Sequence, residues 1–277
     1  MTEYPTLVQI ETSAFCNASC GFCPHSSREL GASVRMTEEM FSQIINEISL
    51  WQAPPNTICP FLTNEPFADA RIYDFCRLIN EKLPKTSIVF YTNGSLFTER
   101  NIEQLRTIKN IYTINLSLHH SNPAEYEAEL KIPWPKTIES MARLINANRV
   151  SPITREILIL RVGNGDSQAD QKFMKFCAAC FPGTTAFVAP RWNWKGSIQS
   201  HMDYRPWLDI ICPRQNGLCI LATGRVALCC MDQNGEYPLG DLNNQTLLEV
   251  FNADLARKHR TTLKRHLVPC NKCSMHG

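Results

Sequence analysis

Cys16, Cys20 and Cys23 stand in the run Cys16-Asn17-Ala18-Ser19-Cys20-Gly21-Phe22-Cys23, a C-x3-C-x2-C spacing with an aromatic residue just before the third thiol. Each intervening segment is long enough to turn the chain between sulfurs, so one loop can present three thiolates to one iron–sulfur cube. Cubane clusters usually take four cysteines; a triad leaves one iron for an outside ligand. The competing chemistry is a zinc knuckle, which wants two pairs of ligands at C-x2-4-C spacing. A second group, Cys212, Cys229, Cys270 and Cys273, reads C-x11-G-x4-C-x40-C-x2-C around Gly224. Two strands meeting at a glycine turn would set Cys212 beside Cys229. The terminal pair would then return to complete four ligands, for an iron–sulfur cluster or for zinc. Cys230 follows Cys229 directly, so either thiol of the doublet could ligate; the glycine spacing points to Cys229, with Cys230 turned inward as packing.

The elements that must position these thiols alternate in kind. Pro5–Ser13 reads as a short buried strand that runs straight into the three-cysteine loop. A helix is expected from Thr37, a good N-cap, to Leu50, with Met40, Phe41, Ile44, Ile45 and Ile48 as its apolar stripe. Strand and helix then repeat: strands over Ile58–Thr63, Ser87–Thr92, Ile111–Leu118, Arg155–Val162 and Thr184–Ala189, with helices over Ala68–Glu81, Glu99–Ile108, up to Asn148, and Ser167–Cys180. Strands apolar on both faces and separated by amphipathic helices imply a parallel sheet with crossover helices. The pattern alone leaves a curved, partly closed barrel and a flat doubly wound sheet both open. Beyond Ala189 the composition changes, and a further helix is expected over Thr246–His259.

The chain has 277 residues, enough for one large domain with a small appendage, and its net charge of +2 favours neither nucleic acid nor an anionic membrane as partner. The first residues lack a basic segment and an apolar core, so no signal peptide is read, and no apolar run reaches a membrane-spanning length. Thirteen cysteines in such a chain point to metal ligation in a reducing cytoplasm, and the odd number argues against a purely disulfide framework. Cys177 and Cys180 fall within a helix and, like Cys59, Cys76 and Cys219, are read as packing residues.

The C-x3-C-x-aromatic-C loop resembles that of the radical S-adenosylmethionine (radical SAM) superfamily. The resemblance implies an α/β fold, a partial (β/α)6 TIM-like barrel, whose Cys16, Cys20 and Cys23 hold a 4Fe–4S cluster with the free iron on SAM. In parallel barrels the working residues sit at the C-terminal strand ends. Thr63-Asn64-Glu65-Pro66 resembles the family's G-G-E-P motif with both glycines replaced, which makes Asn64 and Glu65 expected contacts of the methionine ammonium. Ser117 matches the strand-four polar residue that bonds SAM, and Phe22 would lie near the adenine. Arg161 is expected to pair with the SAM carboxylate or with substrate, and His119 is a candidate general base; Arg191 ends strand six with no role assigned. Trp192 and Trp194 are expected at the junction with the extension. The C-terminal cysteines resemble the twitch subtype of the SPASM extension, implying a small α+β unit with a second 4Fe–4S cluster on Cys212, Cys229, Cys270 and Cys273. Because the sequence stops at Gly277, only one auxiliary cluster is expected. The domain division that follows is 1–190 for the barrel and 191–277 for the extension.

The implied chemistry is reductive cleavage of SAM, with an electron from a flavodoxin- or ferredoxin-like donor, and abstraction of a substrate hydrogen by the 5′-deoxyadenosyl radical. About 15 residues precede the cysteine loop, too few for a leader-peptide recognition domain. The layout resembles small dehydrogenases of aminocyclitol assembly, so the first expectation is oxidation of a small polar metabolite. Epimerisation or crosslinking of a ribosomal peptide is the alternative enzyme reading, and a zinc-stabilised binding protein the non-enzymatic one.

Overall fold

Hydrophobic periodicity sets the strand–helix alternation, and capping residues set where the helices begin. The computed structural model describes residues 3–200, 212, 214–261 and 268–275. Along the first part of the chain run β1 (Leu7–Ile10), α1 (Glu38–Ser49), β2 (Thr57–Cys59), α2 (Ile72–Lys82), β3 (Ser87–Thr92), α3 (Glu99–Arg106) and β4 (Ile111–Ser117). Then follow α4 (Pro123–Leu130), α5 (Trp134–Val150), β5 (Glu156–Val162), α6 (Ser167–Cys180) and β6 (Thr185–Ala189). Thr37, Thr98, Asn122 and Asp166 cap α1, α3, α4 and α6, each side chain accepting from a first-turn backbone N–H that the helix itself cannot satisfy.

The six strands β1 to β6 are parallel and lie side by side in chain order. A doubly wound sheet would put its first strand in the middle and reverse direction there; this sheet does not reverse, so the winding is that of a barrel. It stays open, with β6 at one edge. The other edge is extended by β7 (Gly217–Ile220), parallel to β1, then by β8 (Arg225–Ala227) and β9 (Pro238–Asp241), both antiparallel to their neighbours. The extension is thus built onto the same sheet as the barrel.

Alternation along the strands separates two faces. Ile58, Ile88, Phe90, Ile114, Leu116 and Ile159 are fully buried and belong to one continuous core with Phe41 and Ile45 of α1 and Ile72 of α2. The opposite, concave face mixes polar and apolar side chains: register aligns Gln9 with Cys59 and Cys219, Val89 with Thr113, and Tyr91 with Asn115 and Leu158.

Several expected boundaries differ; α2, for one, starts at Ile72 rather than Ala68. β1 stops at Ile10 and β2 at Cys59, which turns the segment from Pro60 to Glu65 into a loop above the sheet. The expected Thr246–His259 helix is two: α7 (Leu247–Asn252) and α8 (Asp254–Thr261), broken at Ala253 with an extended ψ of 152°. α7 is short, so its start is doubly secured: Thr246 and Glu249 form a capping box, and the Glu47 carboxylate of α1 accepts from Leu247 N at 3.0 Å and Leu248 N at 3.2 Å.

Candidate active site at the C-terminal ends of the strands

β1 delivers Cys16, Cys20 and Cys23 in a loop fixed from three sides. Asn17 donates to Ser95 Oγ at 3.0 Å and accepts from Asn93 Nδ2 at 2.7 Å, which ties it to the turn after β3. Ser19 N donates to the Leu130 carbonyl at the end of α4, and Glu65 N donates to the Phe15 carbonyl. The His25 ring hydrogen-bonds the Ala14 carbonyl at 2.9 Å and closes the loop on itself.

Burial pushes the Cys16 thiol up to about 12, with the Glu65 carboxylate adding to the effect. Burial also raises Cys20 and Cys23. Three half-buried thiols close together are stabilised as thiolates by a cationic centre, and metal coordination supplies one by deprotonating the thiol outright. Among the described residues no three His, Cys, Asp or Glu side chains converge on a single metal-ion position. A 4Fe–4S cluster, in which each thiolate holds a different iron, does not need that convergence.

The loop after β2 faces the cysteines. Asn64 is 7 % exposed; its Oδ1 accepts from Leu62 N at 3.0 Å, which aims Nδ2 away as a buried donor with no partner among the described residues. Glu65 is buried, with Oε1 accepting from Thr92 Oγ1 at 2.7 Å and Phe67 N at 3.1 Å, and Oε2 accepting from Asn93 N at 2.8 Å. A carboxylate has about four acceptor sites, so one stays open on Oε2. Burial outweighs these donors and raises the carboxyl to about 7. Glu65 therefore ties the ends of β2 and β3 together, a part the sequence did not reveal. Ser117 is half-buried, and its hydroxyl bonds none of the described residues.

Phe22 is buried under two groups: the His119 ring meets it edge-on at 4.6 Å, and the Arg191 guanidinium lies over it at 5.5 Å. His119 sits in the left-handed region at φ 65°. Its Nδ1 accepts from Val162 N at 3.0 Å, so the ring proton is on Nε2. Burial first, then His120, Arg161 and Arg191, lower its pKa to about 3. In this arrangement the neutral ring, with Nδ1 occupied and Nε2 protonated, is a hydrogen-bond donor.

Arg161 is anchored by neighbouring residues. It is 3 % exposed and pairs across from Val188 on the helix side of the sheet. Its Nε donates to Asp170 Oδ1 of α6 at 2.7 Å, one NH2 group to Asn164 Oδ1 at 3.1 Å, and the other to the His119 carbonyl. Three of its five N–H groups are thus spent on protein acceptors, and through the His119 carbonyl it props the His119 turn. The guanidinium at the strand ends is instead that of Arg191, whose buried Nε has no partner among the described residues.

The second cysteine group also gathers. Cys212, Cys229, Cys270 and Cys273 line one cavity, bordered by Lys195, Arg214 and Arg260. The β7–β8 turn carries Gly224 at φ +86°, a conformation open to glycine at little cost. Of the adjacent thiols, Cys229 lines the cavity, whereas Cys230 packs against Leu62, Cys219, Leu221 and Ala227 while staying within electrostatic reach of Cys212 and Cys273. The terminal Cys270–Cys273 turn is held by a residue that spacing could not reveal. Asn193 N donates to Ser274 Oγ at 2.7 Å, Asn193 Oδ1 accepts from Ser274 N at 3.0 Å, and Nδ2 donates to the Lys272 carbonyl at 2.6 Å. Among the remaining cysteines, Cys59, Cys76, Cys177 and Cys219 are buried and Cys180 is exposed.

A family model described as the radical SAM superfamily matches residues 10–174, and one described as an iron–sulfur cluster-binding (SPASM) domain matches residues 212–274. The chain belongs to the radical SAM superfamily, and the two matches imply 4Fe–4S clusters. It is 22 % identical over 105 residues to the S-adenosyl-L-methionine-dependent 2-deoxy-scyllo-inosamine dehydrogenase of Niallia circulans, a match covering 38 % of this chain and 42 % of that enzyme. The structure of BtrN in complex with AdoMet and 2-DOIA superposes with a TM-score of 0.69 at 15 % identity, over 99 % of this chain and 95 % of that one. Streptococcus suis SuiB bound to the precursor peptide SuiA gives 0.73 at 15 % identity, over 99 % and 70 %. Among the described residues no helix is long and apolar enough to cross a membrane.

Proposed function

We propose that this radical SAM enzyme dehydrogenates a small polar metabolite, with residues 1–190 as the catalytic barrel and 191–277 as an auxiliary unit. Cys16, Cys20 and Cys23 are the ligands of the SAM-binding cluster, and Cys212, Cys229, Cys270 and Cys273 those of the auxiliary one. When bound, the first centre with SAM supplies hydrogen-atom abstraction and the second a place for an electron. The chain's own groups do the holding. Glu65 Oε2 keeps one acceptor site for the methionine ammonium, the Asn64 amide offers its spare donor, Ser117 its hydroxyl, and Phe22 a wall for the adenine. His119 Nε2–H and Arg191 present donors at the same rim. The electron that starts the cycle comes from a flavodoxin- or ferredoxin-like donor.

The observation that carries the oxidative reading is the cavity with four cysteines. Four protein ligands leave no open iron for substrate, which leaves electron transfer and structure as its uses, and a dehydrogenation must dispose of one electron besides a hydrogen atom and a proton. The dehydrogenase likeness supports the same reading. Peptide modification is the second reading, favoured by the likeness to SuiB with its bound peptide.

One experiment separates the two. Anaerobic protein with dithionite and SAM is incubated with aminocyclitols and other polyols in ordinary and heavy water. Oxidation yields a product two hydrogens lighter with no stable carbon-bound deuterium, and Cys270→Ala protein still cleaves SAM but turns over poorly. A product of unchanged mass that gains one deuterium in heavy water overturns the dehydrogenase reading. Iron and sulfide analysis of the same protein separates both readings from a zinc-stabilised binding protein.

A further inference from the structure

The cavity that gathers Cys212, Cys229, Cys270 and Cys273 is unbalanced in charge. Lys195, Arg214 and Arg260 border it, and no Asp or Glu among the described residues lines it. Lys195 has its own counter-ions, Asp232 at 2.5 Å and Glu236 at 3.4 Å. Arg260 has none among the described residues. It is 8 % exposed, its guanidinium lies 3.8 Å from the centre of the Phe251 ring, and its one hydrogen-bond acceptor there is the Phe251 carbonyl. Burial, and then Arg257, pull its pKa below the usual arginine range. Arg214 likewise has no carboxylate within ion-pair distance among the described residues; its electrostatic neighbours are thiols, those of Cys59, Cys219 and Cys230, and the Tyr91 hydroxyl. A buried guanidinium without an anion is costly. The thiols of Cys212, Cys229, Cys270 and Cys273 line the same cavity.

We propose that Arg260, with Arg214 lining the same cavity, is the counter-charge of the auxiliary centre and raises its reduction potential, which fits that centre to accept an electron. The inference rests on the reading that these four cysteines hold a 4Fe–4S cluster. Cluster potentials are set by net charge, hydrogen bonding and exposure. Reduction adds one negative charge to an assembly that is already anionic, and a guanidinium fixed in a low-dielectric wall favours that state. Arg260 touches neither substrate nor SAM on this account; it acts through the centre.

The test uses the full chain carrying Cys16→Ala, Cys20→Ala and Cys23→Ala, reconstituted with iron and sulfide so that only the auxiliary centre reports. Its midpoint potential is read by electron paramagnetic resonance during a mediated dithionite titration. Arg260→Gln lowers the reduced-to-oxidised ratio at fixed potential about tenfold, a downward shift of about 59 mV for one electron, and Arg260→Lys restores most of it. Arg214→Gln shifts the midpoint in the same direction. An unchanged midpoint in iron-loaded Arg260→Gln protein overturns the inference. If Arg260→Gln takes up no iron, uptake by Arg260→Lys supports the charge role, and failure of both assigns the residue to shape and overturns it. If the parent triple variant itself binds no iron, the four-cysteine reading fails, and the inference with it, a result that iron and sulfide content distinguishes from an unshifted potential.

Discussion

At the residue scale, burial and hydrogen bonding compete at Glu65, and burial wins. The carboxyl is raised from its ordinary 4.5 to about 7, although Asn93 N, Thr92 Oγ1 and Phe67 N all donate to it. A group whose pKa is higher folded than unfolded contributes stability below its unfolded pKa and loses it as pH rises through its folded one. In the iron-free protein this contribution is therefore present below pH 4.5 and lost through about pH 7. Each pH unit that separates the folded from the unfolded pKa is worth about 1.36 kcal/mol, so the loss is roughly 3 kcal/mol. Glu65→Gln, which cannot ionise, is expected to start less stable, because its amide N–H2 faces the Asn93 N–H, but to lose less stability between pH 5 and pH 8. Denaturant unfolding of both proteins at those two pH values checks this; parallel curves would show that Glu65 does not ionise in the fold. His119 gives the same lesson in reverse. From sequence it is a histidine at a strand end, a fair base; only its bond from Val162 N shows which nitrogen is spent.

At the scale of elements, what was legible followed from period and what was not followed from parity. Helix-period stripes and capping residues located α1 and α6 within a residue or two. β5 (EILILRV) is apolar on both faces, which is how a strand buried in a parallel sheet should read. For that reason its sequence does not say which face Arg161 is on. The structure puts it on the helix side with Ile157 and Ile159, and a shift of one residue would have turned it to the concave face. The break at Ala253 carries no glycine or proline and was silent for that reason. The hairpin glycine, by contrast, was legible and strict. A side chain at Gly224 would take a left-handed backbone and place its Cβ 2.8 Å from the end of Met40, a flexible group that can move. Gly224→Ala should cost about 1–2 kcal/mol, mostly backbone strain. Because the turn sets where Cys212 and Cys229 meet, the variant should also bind less iron at the auxiliary site. Unfolding in denaturant and iron content per chain measure both; full iron with unchanged stability would mean that the turn does not position the thiols.

At the scale of the whole molecule, the two cysteine sites are joined by a continuous sheet and by one buried ion pair that neither motif announces. Glu11, just past β1, and Arg28, just past the cysteine loop, meet bidentately at 2.6 and 2.8 Å with side chains 0 % and 1 % exposed. Glu11 Oε2 also accepts from Ala222 N of the β7–β8 turn at 3.1 Å, and Arg28 donates to Thr63 of the loop after β2 at 3.2 Å. One carboxylate thus holds the cysteine loop and the auxiliary hairpin to the same strand end, and its guanidinium partner reaches the Glu65 loop. A buried pair is worth little against well-packed apolar residues, but removing one partner strands the other charge, at a cost of about 3–5 kcal/mol. Glu11→Leu and Arg28→Met should therefore each destabilise by that order. The double variant should be more stable than their sum predicts, and close to or better than either alone. A double-mutant cycle in urea measures the coupling directly. Additive effects would mean that the pair is not a unit and that the sheet alone holds the extension to the barrel. Strong coupling would instead make Glu11 the point through which a disturbance at the cysteine loop is felt at the auxiliary site. In that case Glu11→Leu should lower iron content at both sites together, while Gly224→Ala lowers it at one.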